Sequence, residues 1–223
     1  MKRHFDEELK KLNKQLLKMS ALVEGSIGRS VKALVERKAD LIEEVIKSDK
    51  AINMLEIEID ELCLRLLALH QPTAIDLRFI TSAMKINNDL ERIGDQAVNI
   101  AERTQEIIKQ PLLKPLIDIP RMAVLAQKMV KDSIDALVNK DESLARDVCK
   151  RDDKVDNLHH QVFRELLTYM IQDSKTITMA VELILVGRHL ERIADHATNI
   201  AEDVIYFIHG KDIRHHLEKY TFV

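Results

Sequence analysis

The 223-residue sequence is poor in the residues that build turns, disulfides and sheets. It contains five glycines, four prolines, two cysteines and no tryptophan, and only 4% of its residues are aromatic. Few aromatic residues argue against a β-rich fold, whereas abundant Leu, Ile, Ala, Glu and Lys favour helices. The composition therefore predicts an all-α protein. Cys63 and Cys149 are far apart and lie in apolar helical patterns, so we expect two core thiols and no disulfide framework.

Further absences narrow the function. The longest apolar stretches are too short or too interrupted to span a bilayer, and the first residues lack the apolar run of a signal peptide, so we expect a cytoplasmic protein. The formal net charge is −3 with both signs interspersed, which argues against a nucleic-acid partner. There is no Gly-rich phosphate loop, nucleophile elbow or HExxH motif, so we expect no enzyme.

The most informative feature that is present is a repeated polar segment. Residues 90–102 read LERIGDQAVNIAE, and residues 190–202 read LERIADHATNIAE. Aligning 89–104 with 189–204 gives ten identities in sixteen positions, whereas the sixteen preceding positions give none in the same register. The chain is therefore a duplication in which this segment stayed fixed while its surroundings drifted.

Helical geometry separates a core face from a polar face in this segment. At about 100° per residue, an apolar stripe spans roughly 80° of the helix; it contains Ile86, Leu90, Ile93, Ala97 and Ile100. The opposite face carries Glu91, Asp95, Asn99 and Glu102, with Arg92 at its edge. Core packing preserves an apolar stripe but leaves outward polar residues free to vary. Identity on the outward polar face therefore indicates a functional site.

The apolar periodicity predicts six helices in two three-helix copies. The first copy contains a helix capped by Asp6 and running past Leu34, a helix from Asp40 to Gln71 with Glu43 completing a capping box, and a helix from Ala74 to Lys109. The second contains helices over Met122–Asn139, Asp141–Ile171 and Lys175–His209, the last ended by Gly210. The predicted domains are 1–110 and 121–212, joined by a Pro-containing linker over 111–120 and followed by a tail over 213–223.

The repeated acidic pairs need a positive charge nearby, because two carboxylates on one helix face repel each other. Glu91 and Asp95, and again Glu191 and Asp195, are four residues apart, which places their Cβ atoms about 5–6 Å apart on one helix face. A solvated helix face is the simplest explanation for any one pair. The repetition favours either a metal such as iron, manganese, zinc or magnesium, or compensation by Arg92 and Arg192 or by basic groups of a partner.

The second helix of each copy adds polar residues that can reach a neighbouring helix. They are Asp49, Asn53, Glu56 and Asp60 in the first copy, matched at an offset of 103 by Asp152, Asp156, His159 and Phe163. Asp156 and His159 have the spacing of a metal pair, which is a weak signal alone. The tail histidines His215 and His216, with His209, are a weaker metal candidate. His189 and His196 have Asp89 and Gln96 as counterparts, which we interpret as local variation.

The tandem LERI-x-D-x-A-x-NIAE motif resembles the PhoU family of phosphate-transport-system accessory proteins. The segment HQPTAIDLR over 70–78 also looks like the stretch before the family's first motif. The resemblance covers essentially the whole chain. It implies two pseudo-symmetric three-helix bundles and a cytoplasmic protein that is often a homodimer. It also implies negative regulation of the phosphate-starvation response, by coupling the ATPase-driven phosphate ABC transporter to a sensor histidine kinase.

The resemblance further implies metal ligands, because some members bind multinuclear iron or other metal clusters on Glu/Asp-x-x-x-Asp motifs. The matching residues are Glu91, Asp95, Glu191 and Asp195, joined by Asp49, Asp152 and Asp156. Asn53 departs from the acidic partner expected beside Asp49, so the two sites should be unequal. The other identical polar residues are expected to contact partners; they are Arg92, Arg192, Asn99, Asn199, Glu102 and Glu202.

Two alternative functions fit the same residues. One is a carboxylate-bridged dimetal oxidase or metal-storage bundle, which usually places Glu-x-x-His pairs inside a four-helix core. The other is a helical adaptor without metal. With no phosphate loop and few clustered cations, the sequence argues against direct sensing of phosphate.

Overall fold

The computed structural model describes residues 2–213, with side chains from His4 onward. It contains six α-helices and one short 3₁₀ turn at Ser174–Thr176. The helices are α1 (Lys2–Glu36), α2 (Ala39–His70), α3 (Ala74–Ile107), α4 (Asp118–Asn139), α5 (Glu142–Gln172) and α6 (Ile177–His209). The predicted all-α fold is confirmed. The tail candidates His215 and His216 lie outside the described residues.

Three predicted helix starts are wrong. Asp6 does not cap α1, because the helix already begins four residues earlier. Asp40 lies in the first turn of α2. The N-cap residue of this helix is Lys38, and its side chain forms no capping hydrogen bond. Pro120, placed in the linker, lies in the first turn of α4. Proline fits there because backbone N–H groups of a first turn need no acceptor within the helix.

Two other helix ends follow the local sequence. The Leu144 backbone N–H donates to Asp141 Oδ1 at 3.0 Å and caps α5, as expected of Asp at an N-cap. Gly210 has φ of 70° and donates from its N–H to the Tyr206 carbonyl at 2.7 Å. This left-handed conformation favours glycine, so α6 ends where the sequence predicts.

The six helices form two antiparallel three-helix bundles, α1–α2–α3 and α4–α5–α6. Within each bundle all three helices pack on one another, and the bundles meet along α3 against α6 and α1 against α4. One continuous hydrophobic core runs through both bundles. The buried stripe of α3 includes all five residues predicted for it. No helix within residues 2–213 is long and apolar enough to cross a membrane.

The centre of the molecule is the antiparallel pair of α3 and α6, where counterpart residues of the two copies exchange partners. His196 Nδ1 lies 2.8 Å from Asp89 Oδ1, and His189 Nδ1 lies 2.8 Å from Gln96 Oε1. Each histidine thus pairs with the counterpart of the other histidine. The interpretation of these positions as local variation is wrong, because their differences are complementary across the interface.

The same exchange continues seven residues further out on each helix. Arg103 Nη1 lies 3.5 Å from Glu182 Oε2. Their counterparts also meet, since Ser82 Oγ donates to the Asp203 carbonyl at 3.3 Å, and Lys85 adds an ion pair to Asp203 at 3.1 Å. These contacts fix the register of α3 against α6. The two repeated motifs therefore lie on either side of one pseudo-twofold axis.

Candidate functional site

Glycines permit close packing of the second and third helices of each copy beside the acidic residues. A Cβ at Gly187 of α6 would lie 3.3 Å from His159 Cδ2 of α5. A Cβ at Gly94 of α3 would lie 3.2 Å from Ile52 Cδ1 of α2. Such close approach places the side chains that flank the core side by side. Each copy thereby brings the polar residues of its second helix to the acidic motif of its third.

The second copy gathers three aspartates. Asp152 and Asp156 lie one turn apart on α5, and Asp195 lies on the facing surface of α6. One carboxylate oxygen from each lies within 4.8 Å of the other two. Asp152 and Asp156 are half-buried and Asp195 is exposed. The structure thus brings together three of the seven residues that the resemblance assigns to metal binding, all from the second copy.

Burial and mutual repulsion perturb this aspartate cluster. The pKa of Asp152 is raised to about 7, first by burial and then by the nearby Asp195 and Asp156 carboxylates. The pKa of Asp195 is raised to about 6 by burial, Glu191 and Asp156, and burial also raises the pKa of Glu191. Ionising these carboxylates together is therefore costly without a cation between them.

One oxygen of the cluster is also left without a partner. Asp152 Oδ1 is buried and has no hydrogen-bond partner among the described residues. A buried, unpaired carboxylate oxygen is unfavourable. Three hard oxygen donors with one such atom fit a cation that prefers oxygen ligands.

A cleft of about 380 Å³ opens beside the aspartate cluster, between α5 and α6. Its acidic lining consists of Asp156, Asp195 and Glu191, and its basic lining consists of His159, His160, Arg188 and Arg192. The charges of Arg188 and Arg192 act on Glu191 and oppose the rise in its pKa, but among the side chains described from His4 to Ile213 neither guanidinium forms a hydrogen bond or an ion pair within 4.0 Å. The two charge signs therefore face each other across the cleft without closing it.

The first copy is built differently. Asn53 stands where the second copy has Asp156, and its Nδ2 donates to Asp49 Oδ2 at 2.9 Å. Arg92 lies 3.6 Å from Glu91 and 3.7 Å from Asp95. Within the described part of the chain, three carboxylates at the spacing of the second copy do not occur here. The inequality that Asn53 predicts is visible in the geometry.

The carboxylates of the first copy are nevertheless not fully neutralised by nearby positive charge. Burial raises the pKa of Asp49, with a further contribution from Asp95. The pKa of Glu91 is raised by burial and then by Asp95. Asp49 Oδ1 and Asn53 Oδ1 are buried, and neither has a hydrogen-bond partner among the described residues. The first copy is thus a weaker oxygen site that its own arginine partly neutralises.

The motif's polar face is less outward than the helical wheel predicts. The Glu91 side chain is only 20% exposed, and Glu191 is also half-buried. The reason is that α2 and α5 pack beside the motif and cover part of this face, which a wheel drawn for one helix cannot show. The placement of the two glutamates opposite the core, on a solvent face, is therefore wrong.

The six residues predicted to contact partners are distributed along the same helices. Arg92, Arg192, Asn199 and Glu102 are exposed, whereas Asn99 and Glu202 are half-buried. Only Arg192 lines the cleft. Asn99 and Asn199 lie about 6 Å along the helix from the motif aspartates, and the glutamates lie further still. Their partner role stays a prediction.

Comparison with known proteins identifies the family. The model of the PhoU domain matches twice, over residues 16–104 and 119–204. The chain belongs to the PhoU family. It is 44% identical over 209 residues to a phosphate-specific transport system accessory protein PhoU homolog of Aquifex aeolicus, covering 94% of this chain and 95% of that protein. The family suggested by the repeated motif is thereby confirmed.

Solved PhoU structures share the fold. The crystal structure of PhoU from Pseudomonas aeruginosa has a TM-score of 0.90 and 39% identity, covering 93% of this chain and 100% of that chain. The phosphate transport system regulatory protein PhoU from Streptococcus pneumoniae has a TM-score of 0.87 and 30% identity, covering 93% of this chain and 98% of that chain. These PhoU proteins are named as accessory and regulatory proteins and not as enzymes. The prediction of a non-enzyme holds, and the oxidase alternative has no support from them.

Two residues of the cleft were not found from the sequence. Arg188 precedes Arg192 by one turn on α6, so helical spacing alone could have placed it on the same face. His160 follows Asp156 by one turn on α5. Their counterparts are Asn88 and Ile57, so the repetition that revealed the acidic motif gives no signal for them.

Proposed function

We propose that the protein is a negative regulator of the phosphate-starvation response and of phosphate uptake. It couples the phosphate ABC transporter, through its ATPase subunit, to the sensor histidine kinase. The observation that carries this proposal is the near full-length relation to PhoU proteins, which are named as accessory and regulatory proteins of phosphate transport. A duplicated, charged helix face on a protein of this kind is suited to contact two different partners.

The acidic faces, when loaded with metal, form the signalling surface in this proposal. The aspartate cluster of the second copy supports metal binding by its oxygen spacing and by the unpaired Asp152 Oδ1. An all-carboxylate set suits hard cations such as iron(III), manganese(II) or magnesium, and His159 nearby extends the range toward zinc. In the first copy Asn53 offers a neutral oxygen in place of a carboxylate. We expect the second copy to bind metal more tightly.

The proposed regulation of phosphate-responsive genes is tested in cells by substituting the two motif aspartates. Asp95→Asn together with Asp195→Asn should switch on phosphate-scavenging genes under phosphate excess, because both acidic faces lose a carboxylate. Asp153→Asn is the matched control, since Asp153 is exposed on α5 beside the cluster without belonging to it. A phosphate-responsive reporter gives the readout, with immunoblots to confirm equal protein levels. Full repression by the double variant would contradict the proposal.

Metal binding is tested separately by elemental analysis of untagged protein. Mass spectrometry compares the wild type with the quadruple variant Glu91→Gln/Asp95→Asn/Glu191→Gln/Asp195→Asn. Stoichiometric iron, manganese or zinc that disappears in the variant supports the metal. A folded wild type that stays metal-free after reconstitution supports the helical adaptor, in which the acidic faces contact protein only.

We also propose a homodimer, and α2 offers a surface for it. Met54, Ile57 and Leu64 form a stripe at helical spacing and are 65%, 57% and 56% exposed. Exposed apolar stripes of this kind mark association surfaces. An antiparallel pair of α2 helices, with a twofold axis between Met54 and Ile57, sets Lys50 of each copy opposite Glu61 of the other. This self-complementary charge pattern favours a second copy of the chain as the occupant.

Measuring the oligomeric state of surface variants tests whether this α2 stripe forms the dimer interface. Ile57→Glu should convert the dimer to a monomer in light scattering after size-exclusion chromatography. Ile171→Glu on α5 is the control, because Ile171 is 79% exposed but lies on the other bundle. A dimer that tolerates Ile57→Glu, or a monomeric wild type, would contradict the assignment.

A further inference from the structure

The cleft of the second copy contains two arginines that a metal site does not need. Four of its seven lining residues are basic, namely His159, His160, Arg188 and Arg192. Arginines beside a carboxylate cluster usually close onto it, as Arg92 does on Glu91 and Asp95 in the first copy. In the second copy Arg188 and Arg192 leave the space open. This space is available to a ligand that carries negative charge.

The size of the cleft allows two occupants. A water molecule takes about 30 Å³ of liquid volume, so the cleft of about 380 Å³ holds far more than one cation. A metal ion at the aspartate cluster leaves room for a small anion between the metal and the arginines.

The balance of charges makes anion binding conditional on the metal. The cluster and Glu191 contribute four carboxylates, whereas Arg188 and Arg192 contribute two fixed positive charges. Without metal the ionised cleft repels an anion. A divalent or trivalent ion brings the sum to zero or above. The anion and the metal should therefore strengthen each other's binding by the same factor.

We propose that this cleft binds inorganic phosphate together with the metal ion of the aspartate cluster, with Arg188 as its main protein contact. The planar guanidinium of arginine matches two oxygens of a tetrahedral oxyanion, and a hard cation shares a third. The inference rests on the metal site proposed above. It departs from the expectation that the sequence shows no phosphate site, because the fold gathers cations that are scattered along the chain.

The first copy provides an internal comparison. Asn88 stands in place of Arg188, Glu56 in place of His159, and Ile57 in place of His160. Its remaining arginine, Arg92, is already engaged with carboxylates. The first copy therefore lacks the anion half of the site, and we expect one phosphate for each chain.

The test is calorimetric titration of the full-length protein with inorganic phosphate, with and without bound manganese(II). Manganese content is measured first by mass spectrometry. We expect one phosphate per chain only in the manganese-loaded protein, and at least tenfold tighter manganese binding when phosphate is present. Arg188→Asn, which copies the first repeat, should weaken phosphate binding at least tenfold and leave manganese content unchanged. The control is Lys154→Asn, at an exposed position of α5 that does not line the cleft; it should change neither phosphate binding nor manganese content.

The outcomes separate the two proposals. Manganese binding without any phosphate effect overturns this inference and leaves the metal site intact. Absence of manganese binding, together with absence of iron and zinc in the elemental analysis, overturns both. Equal phosphate binding by metal-free protein or by Arg188→Asn also overturns the inference. Phenyl phosphate distinguishes a phosphorylated side chain from free phosphate: binding of the ester alone would overturn the assignment to inorganic phosphate.

Discussion

Replacing Asp152 by asparagine should change stability in opposite directions with and without metal. In metal-free protein at pH 8, Asp152 is ionised at a cost, because burial and two neighbouring aspartates raise its pKa to about 7. Asparagine has the same shape, carries no charge and can donate to a neighbouring carboxylate, as Asn53 does in the first copy. The variant should therefore be more stable than the wild type in chelator, and less stabilised by added metal.

The magnitude follows from the pKa shift. Aspartate in an unfolded chain titrates near 3.9, so a folded value of about 7 corresponds to about 4 kcal/mol at full strength, at about 1.4 kcal/mol per unit. Below the unfolded pKa, Asp152 is protonated in both states and causes no loss of stability. The free energy of unfolding falls as the pH rises above that pKa, and the loss is complete once the pH exceeds the folded pKa. Because the cleft is open to water, screening reduces the effect. We expect Asp152→Asn to gain about 1–2 kcal/mol over the wild type between pH 5 and pH 8.

Urea unfolding followed by circular dichroism measures this difference. Wild type and Asp152→Asn are compared at pH 5 and pH 8 in chelator, and again with manganese(II) at pH 8. A ligand at 100 times its dissociation constant stabilises the folded state by about 2.7 kcal/mol, and the variant should lose most of that gain. Glu44→Gln, a change at an exposed position of α2 in the other bundle, is the control for loss of one negative charge.

Two results would refute this reasoning. If the wild type and the variant show the same pH dependence in chelator, the carboxylate of Asp152 is not held at a raised pKa. If metal stabilises the variant as much as the wild type, the aspartate cluster does not bind the metal.

Three further predictions concern other parts of the chain. Asn53→Asp supplies the missing carboxylate of the first copy and should add up to one bound metal per chain in elemental analysis; an unchanged content would show that Asn53 does not limit this site. Asp89→Ala and His196→Ala should each cost about 1–2 kcal/mol of unfolding free energy, and a double-mutant cycle in urea should give a coupling above about 0.5 kcal/mol, whereas additive losses would mean that the pair does not interact. Asp141→Ala removes the N-cap of α5 and should lower the unfolding free energy by about 1 kcal/mol, measured by thermal and urea unfolding; no change would mean that water replaces the cap.

Local chemistry made much of the fold predictable. The apolar stripe of the motif is buried in α3 as predicted, and Asp141 and Gly210 mark the ends of their helices. These signals act within one or two turns and do not depend on the rest of the molecule. The starts of α2 and α4 were less predictable, since Asp40 and Pro120 are compatible with several positions in a first turn.

The site was predictable to the extent that duplication preserved it. Glu191 and Asp195 stand out because the first copy repeats them, and the resemblance added Asp152 and Asp156. Arg188 and His160 belong to the same cleft, but they have no counterpart of their kind. Repetition therefore revealed the acidic half of the cleft and missed the basic half.

The sequence by itself determined the helices, their amphipathic faces, the duplication and the family, because periodicity and repeated identity are properties of the chain. Only the tertiary structure decided what those faces meet. It placed His196 beside Asp89 and His189 beside Gln96 across the pseudo-twofold axis. It also gathered three aspartates from two helices within 4.8 Å. Charges that are independent along the chain become coupled when close helix packing removes water and shortens the distance between them.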